Sequence, residues 1–198
     1  MVLTMYKQLK PAIVLFILLT VLTGVIYPLL ITGLAQWLVP VHANGSLITD
    51  NQGNVKGSTL IGQPFNDSKH FWGRPSATAP FPYNASASSG SNLGPTNPAL
   101  LDAVTARLQK LKDADPNNKA PVPFDLITAS ASGLDPHISP AAADYQINRV
   151  AKANNIPAER LRTLVAVNTE SRQWGFLGEP RINVLTLNLA LDTNSVNQ

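Results

Sequence analysis

The chain has 198 residues, 15 Lys+Arg against 12 Asp+Glu for a formal charge of +3, and no cysteine. That length holds one ordinary domain and something small. Two of the cations are Lys7 and Lys10, so the bulk of the chain is nearly neutral and lacks the basic footprint of a nucleic-acid binder. The absence of cysteine excludes a disulfide framework, a thiolate metal site and a thiol nucleophile.

From Pro11 to Val41 there is no Asp, Glu, Lys, Arg or His, and "AIVLFILLTVLTGVIYPLLITGLAQWLV" fills most of the run. About 20 apolar helical residues cross a hydrocarbon core of about 30 Å, so one span fits with length to spare. A cleaved leader is the competing reading, because Val41–Ala43 ("VHA") offers small residues to a signal peptidase. The run is longer than the roughly 7–15 residues of a leader's apolar region, which favours a retained anchor. Lys7 and Lys10 precede the run, while His42 and Asp50 are the first ionisable groups after it, so the N-terminus is expected in the cytoplasm. Trp37 stands where an interfacial aromatic would. Thr20, Gly24 and Pro28 recur every four residues and share one helix face, suited to close approach of a neighbouring helix. The expected organisation is a short cytoplasmic N-terminus over 1–10, a transmembrane helix region over 11–41 and one extracytoplasmic domain over 42–198. In fold class this is a single N-terminal transmembrane helix followed by one mixed α+β domain.

The domain opens with "GSLITDNQGNVKGSTLIGQPF", short apolar pieces bounded by Gly, Asn and Asp, which predict strands joined by tight turns. Arg74 to Pro98 is rich in Pro, Ser, Gly and Asn and predicts a long loop, ordered by Phe81, Tyr83 and Leu93 as anchors. Asn97 and Pro98 cap and start a helix whose Leu100, Leu101, Val104, Leu108 and Leu111 share a face. Phe124 to Ser130 predicts a strand. Ser139 and Pro140 start a second helix, with Asp144 in its first turn and Ala143, Ile147, Val150 and Ala151 inward. A third helix is predicted over about 157–169, with Leu161, Leu164, Val165 and Asn168 on one face. In the tail, Leu185, Leu187, Leu189 and Leu191 alternate like a strand, yet Asn183 is placed to cap a helix with Val184, Leu187 and Leu191 inward; the helix is preferred.

Between the predicted strand and the second helix lies "ASASGLDPHISP", residues 129–140, with three serines, an aspartate and a histidine. Gly133, Pro136 and Ser139–Pro140 explain most of it as a turn into a helix. As a hydrolase it would use Ser130 or Ser132 with His137, but proximity in sequence neither supplies nor requires triad geometry, and no G-x-S-x-G elbow is present. The three histidines, His42, His70 and His137, have no metal-ligand spacing, so no metal site is expected. No phosphate-binding motif occurs; the nearest feature is the Ser88–Pro95 loop, whose backbone N–H groups and hydroxyls would suit an anion. Asp135 and His137 are adjacent enough to pair and fix the turn, or to face a partner.

The ordered set "STLIGQPF" (58–65), "HFWGRPSA" (70–77), "YN" (83–84), "SSGSNLGPTNP" (88–98), "DLITASASGLDPHISPAAADYQINRVA" (125–151) and "GFLGEPRINVLTLNLALD" (175–192) closely resembles KdpC, the family of small subunits of bacterial potassium-transporting Kdp complexes. Ser89 departs from it, standing where glycine is expected, and His70–Phe71 stands where an aromatic pair is common. The resemblance implies an inner-membrane location and four partners: a channel-like subunit carrying K+, a P-type ATPase subunit that hydrolyses ATP, a one-helix subunit and the bilayer. It implies no catalysis by this chain alone, no bound cofactor beyond ATP met through the ATPase subunit, and a chaperone role that raises that subunit's ATP affinity. By the same resemblance Gln146 is the nucleotide-linked residue; read as sequence alone it is a polar helix residue. Arg74, Ser88, Ser89, Asn92, Asp135 and His137 are the expected partner or loop contacts. The charge bias puts the domain outside while ATP is cytoplasmic, so any effect on nucleotide affinity is expected to be transmitted through the membrane. The alternative from another class is a membrane-anchored extracytoplasmic hydrolase built on Ser130 or Ser132 with His137.

Overall fold

The structure is a computed structural model that describes residues 2–50 and 52–196. It divides into two compact units, 1–47 and 48–198.

The first unit is helical. Helix α1 (Val2–Val21) passes through a π-turn at Leu22–Ile26 into α2 (Tyr27–Leu38). Proline at position 28 lacks an N–H and its ring crowds the carbonyl four residues back, so the wider turn sits where the regular ladder cannot continue. Tyr27 N–H accordingly donates to the Leu22 carbonyl five residues earlier. From Lys7 to Leu38 the helix is 32 residues long and apolar enough to cross a membrane. It breaks at Val39, the residue before Pro40, where a proline ring disfavours helical geometry, and α3 (Pro40–Ala43) begins anew.

The second unit is a mixed α+β domain. Strands β1 (Leu47–Thr49) and β2 (Val55–Ser58) form a hairpin, as their turn residues predict. Asp50 fixes that turn by accepting from the N–H groups of Gln52 and Asn54. The long loop that follows carries only a 3-10 turn at Ala85–Ala87 before α4 (Pro98–Ala114), capped by Asn97 accepting from Ala99 N–H at 3.0 Å. Leu111 of α4 is buried, but Leu101 is 68% exposed and stands off the predicted face.

Residues 124–130 are not a strand. Phe124–Leu126 is a 3-10 turn in which Ile127 and Thr128 both donate to the Phe124 carbonyl, so local bonds replace the ladder. The turn aims Asp125 at Ser139, whose N–H and hydroxyl it accepts at 2.7 and 3.2 Å. Strand β3 (His137–Ile138) then leads into α5 (Pro140–Asn154), and α6 (Ala158–Val167) follows. The hydroxyl of Ser139 caps α5 by accepting from Ala142 N–H, while Asp144 is an exposed fifth residue outside the first turn. Strand β4 (Thr169–Glu170) and β5 (Arg181–Asn183) complete an antiparallel sheet in the order β3-β5-β4, with Ile138 and Thr169 both opposite the buried Ile182. Asn183 ends β5 and caps α7 (Val184–Val196) by accepting from Leu185 and Thr186 N–H. The core gathers Phe71, Ile138, Ile147, Val150, Leu161, Ile182, Leu187 and Leu191 into one cluster, so α5, α6 and α7 share it with the sheet.

Candidate functional site

Phe71 and Trp72 cross the core in an irregular segment, and a buried backbone without a sheet neighbour must find other partners. Two side-chain amides supply them. Asn188 of α7 accepts from Phe71 N–H at 2.9 Å and donates to its carbonyl at 3.0 Å. Gln146 of α5 accepts from Trp72 N–H at 2.8 Å and donates to its carbonyl at 3.1 Å. The same Gln146 amide also donates to the Ala142 carbonyl and accepts from Arg149 Nη2, which fills its hydrogen-bonding capacity. Gln146, the expected nucleotide contact, is 1% exposed and spent on holding this segment.

Arg149 ties down the preceding turn by donating to the carbonyls of Asp67, Ser68 and His70, and its guanidinium lies 4.4 Å from the centre of the Trp72 ring. Burial lowers its pKa to about 10, partly offset by Asp67 and Asp115. Burial alone would lower the His70 pKa, but Asp67 and Asp192 flank its two ring nitrogens at 2.8 and 3.0 Å and raise it on balance.

Beyond Trp72 the chain enters the stretch where most of the expected contact residues lie. Arg74 Nη1 meets Asp135 Oδ2 at 3.0 Å. The other Asp135 oxygen accepts from His137 N–H and lies 3.4 Å from His137 Nδ1. Burial pushes the Asp135 carboxyl up, but these hydrogen bonds outweigh it and hold the pKa below the usual value. Tyr83 donates to the Arg74 carbonyl at 2.5 Å, and burial beside Asp135 pushes its pKa up to about 12. A Cβ added to Gly62 would lie 2.3 Å from the Tyr83 ring, so glycine is what lets the two chains close. Tyr83 is thus an anchor of the loop, whereas Phe81 is 56% exposed and is not.

Ser88 and Ser89 lie along the 129–133 turn: the Ser88 hydroxyl and the Ser89 N–H both donate to the Ser132 carbonyl. Asn92 is exposed, with φ of +52°. The structure therefore brings Arg74, Asp135 and His137 together, places Ser88 and Ser89 on the neighbouring turn, and leaves Gln146 apart in the core. The Ser130 hydroxyl accepts from Gly133 N–H and the Ser132 hydroxyl from Leu134 N–H; neither is bonded to His137. Among the described residues no group of three or more His, Cys, Asp or Glu side chains is placed to hold a metal ion. In the helical unit Thr20 and Pro28 flank the π-turn and Gly24 lies within it, and all three are exposed.

One feature carries no signal in residue pattern. Between β4 and β5 a tight turn closes with paired backbone bonds between Gln173 and Leu177, both 2.9 Å, and holds Trp174 at a φ of +51°. Trp174 is 85% and Phe176 67% exposed. Arg172 pairs with Glu179 and Arg181 with Glu170 at the stem, so the tip itself is apolar and uncharged. An exposed aromatic pair on a locked turn has the character of an interaction surface.

Comparison with known proteins gives one consistent match. The family model described as "K+-transporting ATPase, c chain" (KdpC) covers residues 9–193. The potassium-transporting ATPase KdpC subunit of Polaromonas naphthalenivorans is 65% identical over 188 residues, covering 95% of each chain. That of Methylococcus capsulatus is 62% identical over 188 residues, 95% of this chain and 98% of that one. That of Dechloromonas aromatica is 60% identical over 191 residues, 96% of this chain and 100% of that one.

Proposed function

Because the chain belongs to the KdpC family, we propose that it is a non-catalytic accessory subunit of an ATP-driven potassium importer, anchored in the bacterial cell membrane. Its partners are the channel-like, P-type ATPase and one-helix subunits. The N-terminus is cytoplasmic and the domain extracytoplasmic: Lys7 and Lys10 lie before the apolar run, and the first lysine or arginine after it is Lys56. From there the domain stabilises the assembly, and any rise in the ATPase subunit's ATP affinity is a coupling through the membrane. Gln146 contributes by fixing the Trp72 segment and not as a nucleotide ligand. Thr20, Gly24 and Pro28 form the helix face that packs on a neighbouring span.

The observation that carries the reading is the division of labour in the domain. Ser130, Ser132, Asp135 and His137 hold their own turns and the Arg74 loop, whereas Trp174 and Phe176 are turned outward on a rigid stem. The test is recovery of the complex in mild detergent from cells carrying Trp174→Ala with Phe176→Ala. The reading expects loss of partner subunits and of potassium uptake while the variant keeps its melting temperature. Wild-type recovery and uptake would contradict it.

A further inference from the structure

We propose that the cavity walled by Arg74, Arg107 and Lys110 is a binding site for a single phosphate group, carried by a small soluble ester or by a lipid headgroup. The cavity has a volume of about 250 Å³ and lies between α4 and the loop that carries Tyr83; Phe65, Trp72 and Tyr83 give it aromatic walls. Its lining contains three cations and no carboxylate.

The three cations are unevenly satisfied. Arg74 is committed to Asp135 through Nη1, yet its Nε is buried without an acceptor. Arg107 is half-buried and donates from Nη1 to the Ile127 carbonyl at 2.8 Å; among the described residues it has no carboxylate partner. Burial lowers its pKa, the mark of a charge partly stripped of water. Lys110 donates to Asn66 Oδ1 at 2.7 Å and lies 4.8 Å from the centre of the Trp72 ring, and it too has no carboxylate partner among the described residues.

A partly desolvated cation without a counter-ion is costly, and an anion entering the cavity offsets that cost. The unused donors of the Arg107 fork match two oxygens of one phosphate, and the Lys110 ammonium reaches a third as a point charge. The two unpaired charges, Arg107 and Lys110, balance a phosphomonoester of about −1.5 to −2. The volume falls below the roughly 300–1,000 Å³ of pockets that enclose drug-sized ligands, so the site suits a headgroup-sized ester and not a nucleotide. A soluble phosphate monoester and a phosphatidic acid headgroup share this chemistry.

The test uses the full chain in nanodiscs of phosphatidylcholine, titrated with inorganic phosphate and with glycerol 3-phosphate while the arginine side-chain Nε resonances are followed. Saturable binding is expected, weakened about tenfold or more in Arg107→Gln and in Lys110→Gln, and unaltered in the exposed α5 control Lys152→Gln. Repeating it in discs containing phosphatidic acid, a lipid phosphomonoester, separates the sources. If the resonances are shifted at the outset and phosphate no longer titrates, the headgroup occupies the site. If phosphate titrates equally in both discs, the ligand is soluble. No saturable response in either disc, or one that persists in both variants at unchanged melting temperature, would overturn the proposal.

Discussion

Gln146 holds Trp72 by both of its backbone groups: the side-chain oxygen takes the Trp72 N–H at 2.8 Å and the side-chain nitrogen gives to the Trp72 carbonyl at 3.1 Å. A glutamine thus stands in for a neighbouring β-strand, and Asn188 does the same for Phe71.

Gln146→Ala removes the partner of both Trp72 backbone groups and one acceptor of the buried Arg149. Each buried polar group left unsatisfied costs about 1–3 kcal/mol, so the substitution should destabilise the domain by at least about 2 kcal/mol. A thermal melt of the full chain in detergent checks this. Wild-type stability would show that Gln146 is free for another role.

His70 links the 67–72 turn to α7 through Asp67 and Asp192. Its pKa in the folded chain lies above the ordinary value near 6.5. The stability it adds is therefore complete below that ordinary value and is lost as pH rises through the raised folded pKa. The melting-temperature advantage of the wild type over His70→Gln should shrink as pH is raised from about 5.5 to about 8.5. An advantage that is constant or grows with pH would refute the linkage.

Gly62→Ala would bring a Cβ to 2.3 Å from the Tyr83 ring and 2.9 Å from the Asp135 carbonyl, whereas a Cβ on Gly94 meets nothing within 4 Å. The first change should cost about 1–3 kcal/mol by overpacking and the second little. Melting curves of the two variants side by side decide it. Equal effects would mean that the Arg74 loop yields at Tyr83.

Asp135→Asn keeps the shape of the carboxylate but removes the charge that pairs with the half-buried Arg74. As the remaining partner is left without its counter-charge, the cost should exceed that of an exposed pair, which is about 0–1 kcal/mol. The double cycle with Arg74→Gln measures the coupling, and a coupling of zero would make the pair incidental.

How far these relationships can be read from residues depends on their range. The caps of α4, α5 and α7 are local, with Asn97, Ser139 and Asn183 bonding groups two or three residues on, and all three were legible. Asp135 and His137 pair across two residues and were legible as a turn. The Gln146–Trp72 bond spans 74 positions, and nothing in a helix pattern distinguishes a buried glutamine from a solvated one. Phe124 to Ser130 misled because an apolar run resembles a strand, while Asp125 was required to reach Ser139 and the chain turned to deliver it. Nothing in the residue pattern around Trp174 marks it as exposed. Its exposure follows from the tight turn at Gln173–Leu177.

The most direct test of the account is the side of the membrane on which the domain lies. The chain has no cysteine, so single-cysteine variants report cleanly. Val167→Cys, at a position 79% exposed on the domain, and Gln8→Cys, before the apolar run, would each be treated in intact spheroplasts with a membrane-impermeant maleimide. The account predicts labelling at position 167 without lysis and at position 8 only after permeabilisation. The reverse pattern would place the domain in the cytoplasm and contradict it.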